Sequence, residues 1–171
     1  MPAETPDEIE IRWAERGDLA ALAGLVQETK LHYGEAAAPS AAIDRAVASW
    51  LDTKPGHALF AIAFADGSPA GYASVAVTPP AMGLASALYL KELFVSSEVR
   101  SRGIGHELLV FLARFCVAET IERIDLTTAT DNEAGIRFYE REGAAIQRQK
   151  LFLRFETESL EKLAAGEDRG S

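Results

Sequence analysis

The stretch Val95-Ser-Ser-Glu-Val-Arg-Ser-Arg-Gly-Ile-Gly105 constrains this chain more than any other. It joins an apolar strand pattern to an amphipathic helix pattern through a short loop with two glycines. Leu88 to Val95 is one apolar run with Lys91 and Glu92 inside it, the pattern of a largely buried strand. Beyond the loop, Leu108, Leu109, Leu112, Phe115 and Cys116 recur at helical intervals and line one stripe. Such a junction turns backbone N–H groups toward one point, where the helix dipole also favours negative charge. Gly103 and Gly105 let a phosphate approach the backbone, and Arg100 and Arg102 add positive charge beside it.

Two nucleotide-binding patterns fail on the residues. A P-loop needs Gly-Lys-Ser/Thr, whereas His106 and Glu107 follow Gly105. The dinucleotide fingerprint needs a third glycine where Leu108 stands. Arg-x-x-Gly-x-Gly after such a strand does resemble the coenzyme A loop of the GCN5-related N-acetyltransferase (GNAT) superfamily. A second block, Asn132-Glu-Ala-Gly-Ile-Arg-Phe138-Tyr139-Glu-Arg-Glu-Gly143, is similar to that superfamily's Asn-x-x-Ala-x-x-x-Tyr helix and the glycine after it. The two blocks lie in the expected order, with a strand pattern at Ile124 to Thr130 between them.

The resemblance spans residues 8–156, and bulk properties agree with one domain in a 171-residue chain, 48% hydrophobic and 25% charged. No apolar run suits a membrane span, and the acidic start lacks the features of a signal peptide, so the cytoplasm is the expected location. Net charge is −9, but the acidic ends at residues 1–10 and 156–171 carry seven of those charges and leave −2 for 11–155. That near-neutral body offers no basic surface for nucleic acid. The ends, residues 1–7 and 157–171, are expected to be frayed tails. Cys116 on the apolar stripe is expected to be a buried structural thiol. His32, His57 and His106 share no ligand spacing, so no metal is expected.

Along the chain, Ile9 to Trp13 alternates as a strand, and Gly17-Asp18 offers a turn and N-cap for a helix to about Tyr33. Ser40 caps a second helix to about Leu51; Ala58 to Ala65 and Ala70 to Val77 flank a hairpin turn at Asp66-Gly67-Ser68-Pro69. The strand at Ala87, the anion loop, a helix to about Ala118, a strand from Ile124 and the Asn132 helix follow. Ala144 to Arg148 and Lys150 to Glu156 pair as a closing hairpin. The predicted order is β-α-α-β-β-β-α-β-α-β-β, an α/β mixed sheet with helices on both faces, as in the resembled fold.

The resemblance also implies the chemistry. Acetyl-CoA would be the co-substrate, its pyrophosphate held by Arg100, Ser101, Arg102, Gly103, Ile104, Gly105 and His106, mainly through backbone N–H groups. Its pantetheine arm would pair with the strand at Leu93, Phe94 and Val95, with the N–H of Leu93 or Phe94 as oxyanion donor. Tyr139 matches the tyrosine that gives a proton to the departing thiolate; a phenol with an ordinary pKa of about 10 holds its proton at neutral pH. Asn132 would contact the cofactor arm, and it is equally a good helix N-cap. Glu92 alternates with Leu90 and Phe94 on an apolar face, where loss of water strengthens a carboxylate as a base. A salt-bridged structural acid, Tyr89 and water-mediated proton removal stand beside it as alternatives. Tyr33 and His32 would line the acceptor pocket.

The run Leu88-Tyr-Leu-Lys-Glu-Leu-Phe-Val looks closest to the diamine and thialysine branch, which usually carries two adjacent acids where this chain has Lys91-Glu92. A lysine in the pocket would repel a second ammonium by roughly 1 to 4 kcal/mol at about 4 Å. The expected acceptor is therefore a small primary amine, with polyamines, amino acids and aminoglycoside-like compounds as candidates. A protein N-terminal or lysine acetyltransferase, or a non-catalytic acyl-CoA-binding module, are the alternatives. Many members of the superfamily are homodimers, for which the closing hairpin would offer an exchange surface.

Overall fold

A computed structural model describes residues 8–52, 58–81 and 85–166. The chain divides into two compact units, one ending at Thr130 and one beginning at Asp131.

The first unit holds one five-stranded sheet in the order β1-β2-β3-β4-β5: β1 Ile9–Trp13, β2 Leu59–Ala65, β3 Ser68–Thr78, β4 Ser86–Val95 and β5 Ile121–Leu126. β1 through β4 run antiparallel, and β5 joins β4 in parallel. The parallel step follows from the connection: α3, Ile104–Ala118, carries the chain back across the sheet between β4 and β5. α1, Leu19–His32, and α2, Ser40–Leu51, lie between β1 and β2 in sequence.

Strand alternation decides which helix covers which face. Phe60 and Ile62 of β2, Tyr72 of β3 and Phe94 of β4 share one face and form a core with Leu22, Leu25 and Val26 of α1 and Ile43 and Val47 of α2. The intervening Ala61, Ala63 and Ala73 point the other way, and all are fully buried. On that face Leu108, Leu112 and Cys116 of α3 are buried as the stripe predicts, and Trp13 meets Phe111 and Phe115 edge-on, each with ring centroids 5.0 Å apart. Cys116 is a buried free thiol, and burial pushes its pKa up.

The caps differ from the sequence expectation. Asp18 stands at the N-cap position of α1, but its carboxylate makes no cap bond. It accepts both guanidinium nitrogens of Arg12 at 2.7 Å and the N–H of Glu15 at 2.8 Å, so it ties β1 to the start of the helix. Pro39, rather than Ser40, occupies the cap of α2, and Ser40 is already helical.

The second unit carries α4, Glu133–Arg141, and α5, Thr157–Ala164. Between them, residues 144–156 form no strand, so the closing hairpin expected there is absent among the described residues. A helix occupies much of what was expected as a frayed tail, with Lys162 donating to Glu158 one turn earlier at 2.6 Å.

Asp18→Asn removes a buried carboxylate that accepts three hydrogen bonds and is expected to lower stability by about 1 to 3 kcal/mol in urea unfolding at neutral pH. The Arg12 hydrogen bonds hold the Asp18 carboxyl below its ordinary value. Its contribution is therefore complete above the unfolded pKa of about 3.9 and is lost as pH falls through the lowered folded value. The gap between wild type and variant should close on acidification; a gap of constant size would contradict this.

Candidate active site

The site begins with a mismatch in β4. Ser74 of β3 pairs with Glu92, but its neighbour Val75 pairs with Leu90, which leaves Lys91 as an extra, bulged residue. A bulge bends its strand and sharpens its twist. β4 is paired with β5 only from Ser86 to Leu90, and β5 ends at Leu126 opposite Leu90, so past the bulge this edge of β4 has no strand partner among the described residues. The bulge also changes the facing expected from simple alternation. Glu92 still shares a face with Phe94, but Leu90 now lies on the opposite face with Val75, and Tyr89 takes its place beside Glu92.

Past the bulge, one backbone edge of β4 is committed to β3. The Ser96 N–H donates to the Ala70 carbonyl at 2.9 Å, and in an antiparallel ladder hydrogen-bonded pairs recur every second residue, at Phe94 opposite Tyr72 and Glu92 opposite Ser74. Leu93 and Val95 therefore aim their peptide groups at the open edge. Of the two oxyanion donors expected, Leu93 faces that edge and Phe94 faces β3.

The loop that follows is braced by α1. Glu28 of α1 accepts the Ser97 N–H at 2.9 Å and the hydroxyls of Ser96 and Ser97 at 3.1 and 3.2 Å. Ser101 and Gly103 both have positive φ, 69° and 79°, and Gly103 caps α3. The first hydrogen bond of α3 runs from the Glu107 N–H to the Gly103 carbonyl, so the N–H groups of Ile104 and Gly105 have no acceptor within the helix. Ile104 is buried and anchors the turn. Turns of this shape gather N–H groups into an anion-binding concavity.

Both arginine side chains have protein partners. Arg102 donates to Asp66 in the β2–β3 turn at 2.8 Å, and that bond holds the Asp66 carboxyl below its ordinary value. Arg100 reaches back to the Val95 carbonyl and to His32 Nδ1, both at 3.4 Å. Backbone amides thus dominate the loop's chemistry.

The C-terminal end of α1 meets the same stretch of β4. The Tyr33 hydroxyl donates to a Glu92 carboxylate oxygen at 2.9 Å, and the His32 ring lies against those of Tyr33 and Phe94. Glu92 is half-buried, whereas Lys91 is exposed. The Tyr89 hydroxyl contacts Thr127 at 3.0 Å. Tyr72, deeper in this face, contacts Thr29 at 3.2 Å; burial pushes its phenol up to about 12 and holds it protonated. A 340 Å³ cavity between α1 and α2, lined by Ala23, Gln27 and Ile43 among others, is bordered by none of the expected site residues.

In the second unit, Asn132 caps α4 by accepting the Gly135 N–H at 3.1 Å, which realises the N-cap reading. Tyr139 lies on α4, half-buried, with its ring 5.2 Å from that of Phe138. His57 lies outside the described residues. Among the described residues no group of His, Cys, Asp or Glu side chains is arranged to hold a metal ion, and no helix is long and apolar enough to cross a membrane.

A family model described as the acetyltransferase (GNAT) family matches residues 12–144. The chain belongs to this family. It is an N-acetyltransferase by that membership, and GNAT acetyltransferases use acetyl-CoA. Among solved structures, an integron cassette protein from the mobile metagenome of V. cholerae, VCH_CASS6, is similar at 29% identity and TM-score 0.85, over 91% of this chain and 97% of that one. The aminoglycoside N-acetyltransferase AAC(6')-Iy, solved with CoA, shares the fold at 19% identity and TM-score 0.72, over 90% and 98%. The ribosomal-protein-alanine N-acetyltransferase of Brucella melitensis shares it at 20% identity and TM-score 0.70, over 86% and 100%.

The GNAT co-substrate tests well against the residues present. A β4 edge without a strand partner, continuous with a loop whose Ile104 and Gly105 N–H groups have no acceptor within the helix, suits an extended amide-bearing arm that ends in a diphosphate. Sequence reasoning missed Glu28, Asp66 and the bulge at Lys91. Glu28 and Asp66 stand 68 and 36 residues from their partners Ser96 and Arg102. The Lys-Glu pair interrupting an apolar strand was the one local signal of the bulge.

Because burial raises the Tyr72 pKa in the folded state above the unfolded value of about 10, folding loses stability as pH climbs past about 10. Tyr72→Phe should remove that component of the alkaline loss. In spectrophotometric titration it should also delete a phenol ionising near 12, and a deletion near 10 instead would contradict the burial.

Proposed function

We propose that this protein transfers the acetyl group of acetyl-CoA to a primary amine of a small molecule by direct attack on the thioester. The observation that carries the reading is the edge of β4 left without a strand partner past Leu90, immediately before a loop that caps α3 through Gly103. Residues 8–156 act as one catalytic domain, as the family match running across both units supports.

Acetyl-CoA supplies an acyl group on a good leaving thiolate. The amides of residues 100–106 hold its diphosphate, with Arg100 and Arg102 contributing field more than direct contact. The open edge at Leu93 and Val95 aligns the arm, and the Leu93 N–H receives the negative charge that develops on the acyl oxygen. Glu92 takes a proton from the acceptor's ammonium, leaving the neutral amine that attacks the thioester carbon, and the Tyr33 hydroxyl orients its carboxylate. Tyr139, assigned by its motif, protonates the departing thiolate, and Asn132 supports the arm from the cap of α4.

The acceptor is a polyamine, an amino acid or an aminoglycoside-like amine. Fold neighbours that include aminoglycoside acetyltransferases support an amine of this kind. Exposure of Lys91 at the bulge weakens its repulsion of a second ammonium and keeps the diamine branch among the candidates.

A panel of primary amines assayed for released CoA names the acceptor class. Gly103→Ala meets no neighbouring atom within 4 Å but must hold an L-residue at φ +79°. Its acetyl-CoA Kd in calorimetry should rise about 5- to 30-fold, the equivalent of about 1 to 2 kcal/mol.

Tyr139→Phe and Glu92→Gln should each leave acetyl-CoA affinity near wild type while kcat falls about 100-fold or more. Unchanged turnover in either variant removes that residue from the mechanism. Failure of acetyl-CoA to bind the intact protein removes the whole reading.

A further inference from the structure

Arg100 lies across the stretch of β4 edge that the site leaves open. Its Nε donates to the Val95 carbonyl at 3.4 Å, and Val95 is a residue whose peptide groups face away from β3. The far end of the guanidinium meets His32 Nδ1, also at 3.4 Å. A guanidinium can only donate, so Nδ1 accepts here. The His32 ring is itself fixed beside the strand, its centre 5.9 Å from that of Phe94 and 5.3 Å from that of Tyr33.

The two arginines of the loop are held differently. Arg102 is bound to the carboxylate of Asp66 at 2.8 Å, a charge-assisted bond of ordinary length. Arg100 has only a carbonyl and an imidazole nitrogen, and among the described residues no acid pairs with it. Bonds of 3.4 Å are weak, so an anion arriving in the loop draws Arg100 before it draws Arg102. The carbonyl that Arg100 covers is also one that an amide-bearing arm needs when it pairs with β4.

We propose that Arg100 is a specificity-determining residue for the acyl donor: it competes with the arm for the Val95 carbonyl and gives it up when a diphosphate attracts the guanidinium toward the loop. The inference rests on the acyl-transfer reading, since it takes the open edge of β4 as the place of the arm. A thioester that carries both arm and diphosphate brings the charge that clears its own path. One on bare pantetheine brings none and must displace Arg100 unaided. His32 sets how firmly the guanidinium stays, and is a positioning residue that acts through Arg100. The pair thereby separates acyl-CoA from shorter acyl thioesters through a side chain remote from the acyl group.

Binding to the full-length protein is measured with acetyl-CoA by calorimetry and with S-acetylpantetheine, which has the thioester and arm without the diphosphate, by NMR titration. In Arg100→Met, which keeps an apolar stem but has no N–H to donate, the two affinities should move in opposite directions. The Kd of S-acetylpantetheine should fall about 2- to 10-fold as one competing hydrogen bond is lost. That of acetyl-CoA should rise about 3- to 10-fold as a cation near its diphosphate is lost. A merely structural role for Arg100 in the loop would weaken both. His32→Phe keeps a ring against Phe94 and Tyr33 but removes the Nδ1 acceptor, so both thioesters should bind about twofold or more tighter.

Any result for Arg100→Met other than opposed shifts overturns the proposal, as does a His32→Phe variant that does not tighten both. Should the wild-type protein take up no acetyl-CoA, the acyl-transfer reading falls and this inference with it. Uptake of acetyl-CoA without the opposed shifts removes this inference alone.

Discussion

Lys91 is one residue more than β3 can match, and the site depends on that surplus. β5 ends at Leu126, opposite Leu90, one residue short of the bulge. The bulge bends β4 just where that neighbour stops, and the stretch through Val95 keeps one edge for a ligand while the other stays bonded to β3. The same extra residue sends Leu90 to the α3 face, while Glu92 stays with Phe94 on the face covered by α1, where Tyr33 reaches its carboxylate.

The remainder of the first unit serves to hold this edge still. α3 lies over alanines, whose small side chains allow close approach to the sheet, and Trp13 fixes its far end through two aromatic contacts. On the opposite face, Glu28 ties α1 to the start of the loop with three hydrogen bonds. Asp66 and His32 occupy the two arginines that would otherwise be the obvious phosphate ligands. The loop therefore offers fixed peptide dipoles more than mobile charge, which suits tight positioning of an anionic carrier.

Much of this was legible locally. The strand, loop and helix around Arg100 to Gly105, the β2–β3 hairpin, the stripe of α3 and the capping role of Asn132 all follow from short-range patterns, because turns, caps and helical periodicity are set by residues within a few positions of one another. The face of Leu90 relative to Glu92 was misjudged, since alternation assumes a regular ladder and a bulge is known only from the partner strand. The closing hairpin failed for a related reason. Residues 144–156 have the composition of strands, but a strand exists only where a neighbour takes up its hydrogen bonds, and the described part of this chain supplies none.

The sequence by itself determined the order of elements, the anion-binding loop and membership of an acyl-transfer family, all of which rest on local chemistry repeated at fixed spacings. Tertiary structure alone decided which peptide groups of β4 face outward, which acid of α1 braces the loop, and how Asp18 is used. Those depend on pairs of residues far apart in the chain, and only the packing of the sheet against its helices brings them within reach of a hydrogen bond.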